Sequence, residues 1–174
     1  MLGGKRDLVR ESRAFMMEGG QDCIACATRP CGFGRAMCRA DGMGSQERVI
    51  YTKLLKSKIH MAVVTQTDLT YHGSITIDTD LLKATGMLPN EQVLVADCEN
   101  GERFETYIIP GPAGSGVIGI NGAAARLSAV GNRVIVMTFV SAAPDEIEKH
   151  IAKIVVCDKT NKIIERIEQR SSLK

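Results

Sequence analysis

The chain has 174 residues, 44% of them hydrophobic and 24% charged, with a net charge of +2 at neutral pH. That length suits one domain with a real core and is short for two. Its basic residues are scattered among acidic ones and only 4% of residues are aromatic, so neither a basic face nor a stacking platform for nucleic acid is offered.

No apolar run approaches the ~18 residues of a membrane span. The opening MLGGKRDLVRESRAF lacks the apolar stretch of an export signal, so a cytoplasmic location is expected. Residues 1–47 are rich in Gly, Arg and Cys without sustained periodicity. They read as a disordered extension, or as translated sequence upstream of a start at Met43. Cys23, Cys26, Cys31 and Cys38 could close a tetrahedral zinc site. Only the first pair has a familiar ligand spacing, however, and no hydrophobic residues are spaced to pack around an ion, so no metal is expected. Cys98 and Cys157 stand singly in strand-like stretches, as small buried apolar residues do.

Regular structure begins near residue 48 and is expected to run to 168, followed by a short tail at 169–174. RVIYTKLLKSKIHMAVVTQ reads as one or two strands. SITIDTDLLKATG opens as a strand, then offers Asp78 or Thr79 as a helix cap and Gly86 as the stop. EQVLVADCENGERFETYIIPG holds two alternating runs around Asn100-Gly101, which suits a tight type I′ hairpin. GPAGSGVIGINGAAARLSAVG reads as a glycine-rich loop entering a short helix, and NRVIVMTFVSA as a buried strand. PDEIEKH is a helical turn, and IAKIVVCD and KIIERI form a final hairpin-like pair. Many short strands with brief helices predict a mainly β protein, a small closed or nearly closed barrel.

Between the first two segments lies YHGSITID, residues 71–78. A serine hydroxyl after glycine can attack the preceding carbonyl and shift the acyl group from nitrogen to oxygen, and glycine tolerates the backbone geometry this requires. β-Elimination of the ester leaves dehydroalanine, which hydrolyses to a pyruvoyl group with release of ammonia. The pyruvoyl carbonyl can form a Schiff base with an amine and withdraw electrons from it. The dipeptide alone is an ordinary turn, and a second copy stands at Gly114-Ser115.

The context is more specific. Lys58-x-His60, Tyr71-x-Gly73-Ser74, Asn100-Gly101-x-Arg103-x-x-Thr106-Tyr107 and Ile120-Asn121-Gly122-Ala123-Ala124-Ala125 occur in one order and spacing. Together they resemble bacterial aspartate 1-decarboxylases over about Tyr51 to Ile167. The resemblance implies a double-psi β-barrel with short helices, assembled as a homotetramer with active sites between neighbouring subunits. It implies a zymogen that cuts itself between Gly73 and Ser74, leaving a covalent pyruvoyl group derived from Ser74. The implied reaction converts L-aspartate to β-alanine and CO2 for pantothenate biosynthesis.

By the same resemblance Lys58 and Arg103 bind substrate carboxylates, and Arg can do so with two parallel hydrogen bonds. Ser74 and Tyr107 are the catalytic positions, Tyr107 as proton donor. Thr106 hydrogen-bonds at the substrate or at Gly73 during cleavage, Gly122, Ala123 and Ala124 line the substrate, Gly73, Ser74 and Asn121 serve maturation, and His60 and Tyr71 support the site. Alternation places Arg103 and Tyr107 on one strand face and Thr106 on the other, so a twist or bulge would have to reconcile Thr106 with its implied role. The family often carries a bulky aromatic where this chain has Ala96, which implies a more open pocket wall. The competing expectation is an uncut double-psi barrel that acts only as a binding or assembly module.

Overall fold

The computed structural model describes residues 49–173, so the four N-terminal cysteines and the extension expectation lie outside the described residues. Nine strands and two short helices run in the order β1 (Thr52–Val63), β2 (Gln66–Asp68), β3 (Ser74–Asp78), α1 (Thr79–Thr85), β4 (Gln92–Asp97) and β5 (Arg103–Gly111). There follow β6 (Ile118–Asn121), a 3₁₀ helix (Gly122–Arg126), β7 (Arg133–Ala142), α2 (Pro144–Ile147), β8 (Ile151–Cys157) and β9 (Ile163–Arg170).

The strands form one mixed sheet in the order β2-β6-β3-β5-β4-β7-β1-β8-β9. Two psi arrangements stand out. The consecutive strands β2 and β3 flank β6, one parallel and one antiparallel to it. The consecutive strands β7 and β8 flank β1 in the same mixed way. This is the double-psi pattern, and the mainly β expectation holds. The ladder is not closed, because β2 and β9 remain edges. Closure is partial: Thr65, just beyond β1, donates its N–H to the Ile118 carbonyl of β6 at 2.8 Å, and its hydroxyl accepts the Ile118 N–H at 3.0 Å.

One apolar cluster draws Ile59 from β1, Ile75 and Ile77 from β3, Val93 and Val95 from β4, and Ile108 from β5. Ile118 and Ile120 from β6 and Val134 and Val136 from β7 join it, so the sheet curls around a single core. Each such side chain stabilises the fold by about 1.5–3 kcal/mol when fully buried. Helix α1 starts and stops as its residues dictate. The Asp78 side chain accepts the N–H of Asp80, and Gly86 takes the left-handed conformation at φ 72°. Asp78 also accepts from the N–H groups of Gly114 (3.1 Å) and Gly116 (2.6 Å), which ties the β5–β6 loop to the far end of β3.

Three expectations need correction. Cys98, expected to be buried like Cys157, is exposed. Ile118–Asn121 is a fully buried strand and not part of a loop; Gly119 within it is small because the Gln66 side chain packs over it, 2.7 Å from where a Cβ would stand. The β4–β5 connection is also longer than a two-residue turn. The Asp97 carboxylate accepts the N–H groups of Glu99 (2.8 Å) and Asn100 (3.4 Å), and only Gly101 of the Asn-Gly pair has positive φ. A type I′ turn needs it at both.

Candidate active site

The first psi arrangement builds the site. Asp68 on β2 and Ser74 on β3 both stand opposite Asn121 on β6, so residues 69–73 arch over the end of that strand. All five arch residues are exposed. Ser74, the first residue beyond the arch, is fully buried. The Asp68 carboxylate holds the arch from below, accepting from the Thr70 N–H (2.8 Å), the Thr70 hydroxyl (2.8 Å) and the Tyr71 N–H (3.2 Å). These donors keep the Asp68 carboxyl below its usual range, the Thr70 hydroxyl contributing most.

Gly122 closes the other side. Its φ is +69°, and a Cβ there would stand 2.7 Å from Gly73 Cα, 2.8 Å from Gly73 N and 3.1 Å from the Tyr71 carbonyl oxygen. Only glycine lets β6 turn this closely beneath the arch.

Ser74 Oγ donates to the His72 carbonyl at 3.2 Å, which folds the hydroxyl back across residue 73. Asn121 Nδ2 donates to Ser74 Oγ at 2.8 Å and to Thr76 Oγ1 at 3.0 Å. A donor on Oγ stabilises negative charge that builds there as the hydroxyl proton leaves. Tyr107 belongs to the same neighbourhood. β3 and β5 run parallel with Ile75 opposite Ile108, so Ser74 and Tyr107 stand level on adjacent strands, on the side away from the core. The Tyr107 side is open to solvent.

The substrate-binding cations are placed differently. Arg103 is exposed at the start of β5, opposite Ala96, which is itself opposite Ile135. Lys58 stands on β1 opposite Met137, which faces Leu94 and through it Glu105. Lys58, Arg103 and Tyr107 therefore share the outer face of the sheet, among half-buried Leu94, Ile135 and Met137. In the sheet order β5, β4 and β7 stand between β3, which carries Ser74, and β1, which carries Lys58. His60 follows Lys58 at a bulge where Met61 adopts φ 62°. Its Nδ1 is buried without a hydrogen-bond partner among the described residues. Burial, and then the Lys58 charge, pushes the His60 pKa down.

Thr106 lies opposite Val93 and away from Arg103 and Tyr107. The β4–β5 register runs without a shift from Gln92 to Ala96, so no bulge turns Thr106 to the other face. In the 3₁₀ helix Ala123 is exposed and Ala124 half-buried against the core. A cleft of about 550 Å³ runs beside Asn121, Thr76, Tyr71 and Asp68 but has no Lys or Arg among the described residues of its lining. A second, of about 470 Å³, lies at the other end of β3, around Asp78 and Lys162.

Asp68, Thr76 and the Gly122–Gly73 contact escaped the sequence reading. Only Asp68 left a local trace there, in Asp-x-Thr, a pattern that favours side-chain-to-backbone turns.

Comparison with known proteins agrees with this geometry. The aspartate decarboxylase family profile matches residues 50–164. Aspartate 1-decarboxylase of Caldicellulosiruptor saccharolyticus is 54% identical over 112 residues, covering 64% of this chain and 88% of the relative. The Neisseria meningitidis protein of that name is 52% identical over 114 residues (66% and 90%), and the Staphylococcus aureus one 48% over 119 (68% and 94%). The arch, the buried Ser74 and the Asn121 donor all lie within the matched span, and the chain belongs to the aspartate decarboxylase family.

Proposed function

We propose that this chain cuts itself between Gly73 and Ser74 and then, as a pyruvoyl enzyme, decarboxylates L-aspartate to β-alanine and CO2. One observation carries the reading: a fully buried Ser74 hydroxyl, folded back onto the His72 carbonyl and held by Asn121, directly follows an exposed arch. In the first step Oγ bonds to the Gly73 carbonyl carbon, the carbon–nitrogen bond breaks, and the hydroxyl proton passes to the freed amine. Loss of the Ser74 α-proton then expels the Gly73 carboxylate and leaves dehydroalanine. One water converts this to the pyruvoyl group and releases ammonia.

The residues present fit such a group. Asn121 Nδ2 keeps a donor at position 74, and burial shields that position from bulk water. A pyruvoyl group supplies an electrophilic carbonyl that captures a primary amine and draws electrons from the bond to the departing carboxylate. Arg103 clamps a carboxylate with its planar fork, and Lys58 adds a compact charge. Tyr107, level with Ser74, gives its hydroxyl proton to the α-carbon after CO2 leaves. Gly122, Ala123 and Ala124 keep the approach free of bulk.

The cleft beside Ser74's partner Asn121 has no Lys or Arg among the described residues of its lining, while Lys58, Arg103 and Tyr107 share a partly apolar outer face. That arrangement supports a site completed by a second copy; we take the assembly to be a cytoplasmic homotetramer that supplies β-alanine for pantothenate. Denaturing mass spectrometry tests the cut. Two fragments divided after Gly73 are expected, the C-terminal one lighter by one ammonia than a fragment beginning with serine. Ser74→Ala should give a single chain. A whole wild-type chain would instead favour an uncut binding module.

A further inference from the structure

What sets the direction in which Gly73 enters Ser74? The ladder cannot do so alone. Pairing of β2 with β6 ends at Asp68, and pairing of β3 with β6 begins at Ser74. The five residues between are solvent-exposed, and a short exposed crossover samples many conformations unless something ties it down. Attack by Oγ needs a narrow one, with the Gly73 carbonyl carbon presented to the hydroxyl.

Two contacts constrain the arch. Gly122 lies so close under Gly73 and the Tyr71 carbonyl, on the β6 side, that no Cβ fits between them, which leaves the arch little room to sink. Asp68 Oδ1 gathers three donors from Thr70 and Tyr71, which limits how far it can rise. Only His72 and Gly73 separate the last clamped N–H from the serine. The carbonyl that receives the Ser74 hydroxyl belongs to His72, one residue beyond the clamp. Asp68 also stands opposite Asn121, the residue that holds Ser74 Oγ, so one β6 position references both ends of the arch.

We propose that Asp68 is a positioning residue for the self-cleavage, its carboxylate fixing the 69–73 arch against Gly122 so that the Gly73 carbonyl is presented to Ser74 Oγ. This rests on the cleavage reading given above. Asp68 touches neither reacting atom and acts through Thr70 and Tyr71. Asparagine at this position keeps an acceptor oxygen for the two N–H groups, and alanine keeps none.

The experiment follows cleavage of freshly purified full-length chain by intact mass, comparing wild type, Asp68→Asn and Asp68→Ala, with thermal melts of each in the uncut Ser74→Ala background. Asp68→Ala should cleave about 10- to 100-fold more slowly, the range a displacement near 1 Å produces. Asp68→Asn should recover most of the rate, and all three backgrounds should melt within a few degrees of one another. A merely structural role would lower the melting point in step with the rate. Wild-type speed in Asp68→Ala would overturn the inference, as would a rate loss that tracks a collapse of the melt. Should Asp68→Ala not fold, Thr70→Val removes only the hydroxyl donor; slower cleavage supports the role and an unchanged rate refutes it. A wild-type chain that never cleaves would overturn the parent reading and this inference with it, whereas cleavage of wild type and Asp68→Ala at equal rates overturns this inference alone.

Discussion

Gly122→Ala is the sharpest perturbation of the arch. The new methyl carbon would stand 2.7 Å from Gly73 Cα and 2.8 Å from Gly73 N. Ordinary carbon–carbon contacts lie at about 3.5–4.0 Å, so roughly 1 Å of relief is needed. The opposing atoms are backbone and cannot rotate aside as a flexible side chain would. The arch must therefore lift or β6 must sink. A left-handed φ of +69° costs a non-glycine residue a further ~1–2 kcal/mol. For a domain of this size that corresponds to a melting point lower by about 4–8 °C. A 1 Å shift of the arch should slow cleavage by about 100-fold. The assay is the fraction of cut chain against time at fixed temperature, read by intact mass beside a thermal melt. A Gly122→Ala chain that cleaves and melts like wild type would refute the close packing between Gly122 and Gly73.

Tyr107→Phe should mature normally, since the ring and its strand remain, yet release CO2 at least about 100-fold more slowly; normal steady-state turnover excludes Tyr107 as proton donor. Thr138 is 1% exposed and its hydroxyl has no hydrogen-bond partner among the described residues. Thr138→Val should therefore raise stability by about 1 kcal/mol in denaturant titration, and a loss would contradict this. Burial alone would raise the Asp97 pKa, but bonds from Ser128 Oγ, Asn132 Nδ2 and the N–H groups of Glu99 and Asn100 prevail and hold it below its ordinary value of 3.8. A depressed folded pKa means that Asp97 contributes stability in full above the ordinary value, and that this contribution fades as pH falls through the folded value. Melts recorded from pH 6 down through the carboxylate range should show Asp97→Asn losing less stability with acid than wild type; parallel curves would refute the linkage.

Much of this was legible in the sequence because it is local. Asp78 and Gly86 announce the ends of α1 by their own chemistry, and alternation in β5 correctly parts Thr106 from Arg103 and Tyr107. The misreadings share a cause, which is contact between distant segments. β6 looked like loop because of Gly119, yet that glycine makes room for Gln66, fifty-three residues earlier. The Asn-Gly pair looked like a tight turn, but Asp97, anchored by Ser128 and Asn132, draws the chain into a wider one. At the site the Gly73-Ser74 pair could be singled out beforehand. The roles of Asp68, Thr76 and Gly122 beside it depend on β2 and β3 meeting β6, a pairing that no local pattern encodes.

The most direct measurement concerns a ketone at residue 74. Purified protein treated with a hydrazine, then digested and mapped, should carry the label at the first position of the fragment that follows Gly73, at close to one label per cut chain, with prior L-aspartate slowing the labelling. An unlabelled fragment that begins with an intact serine, or with no break there at all, contradicts the account.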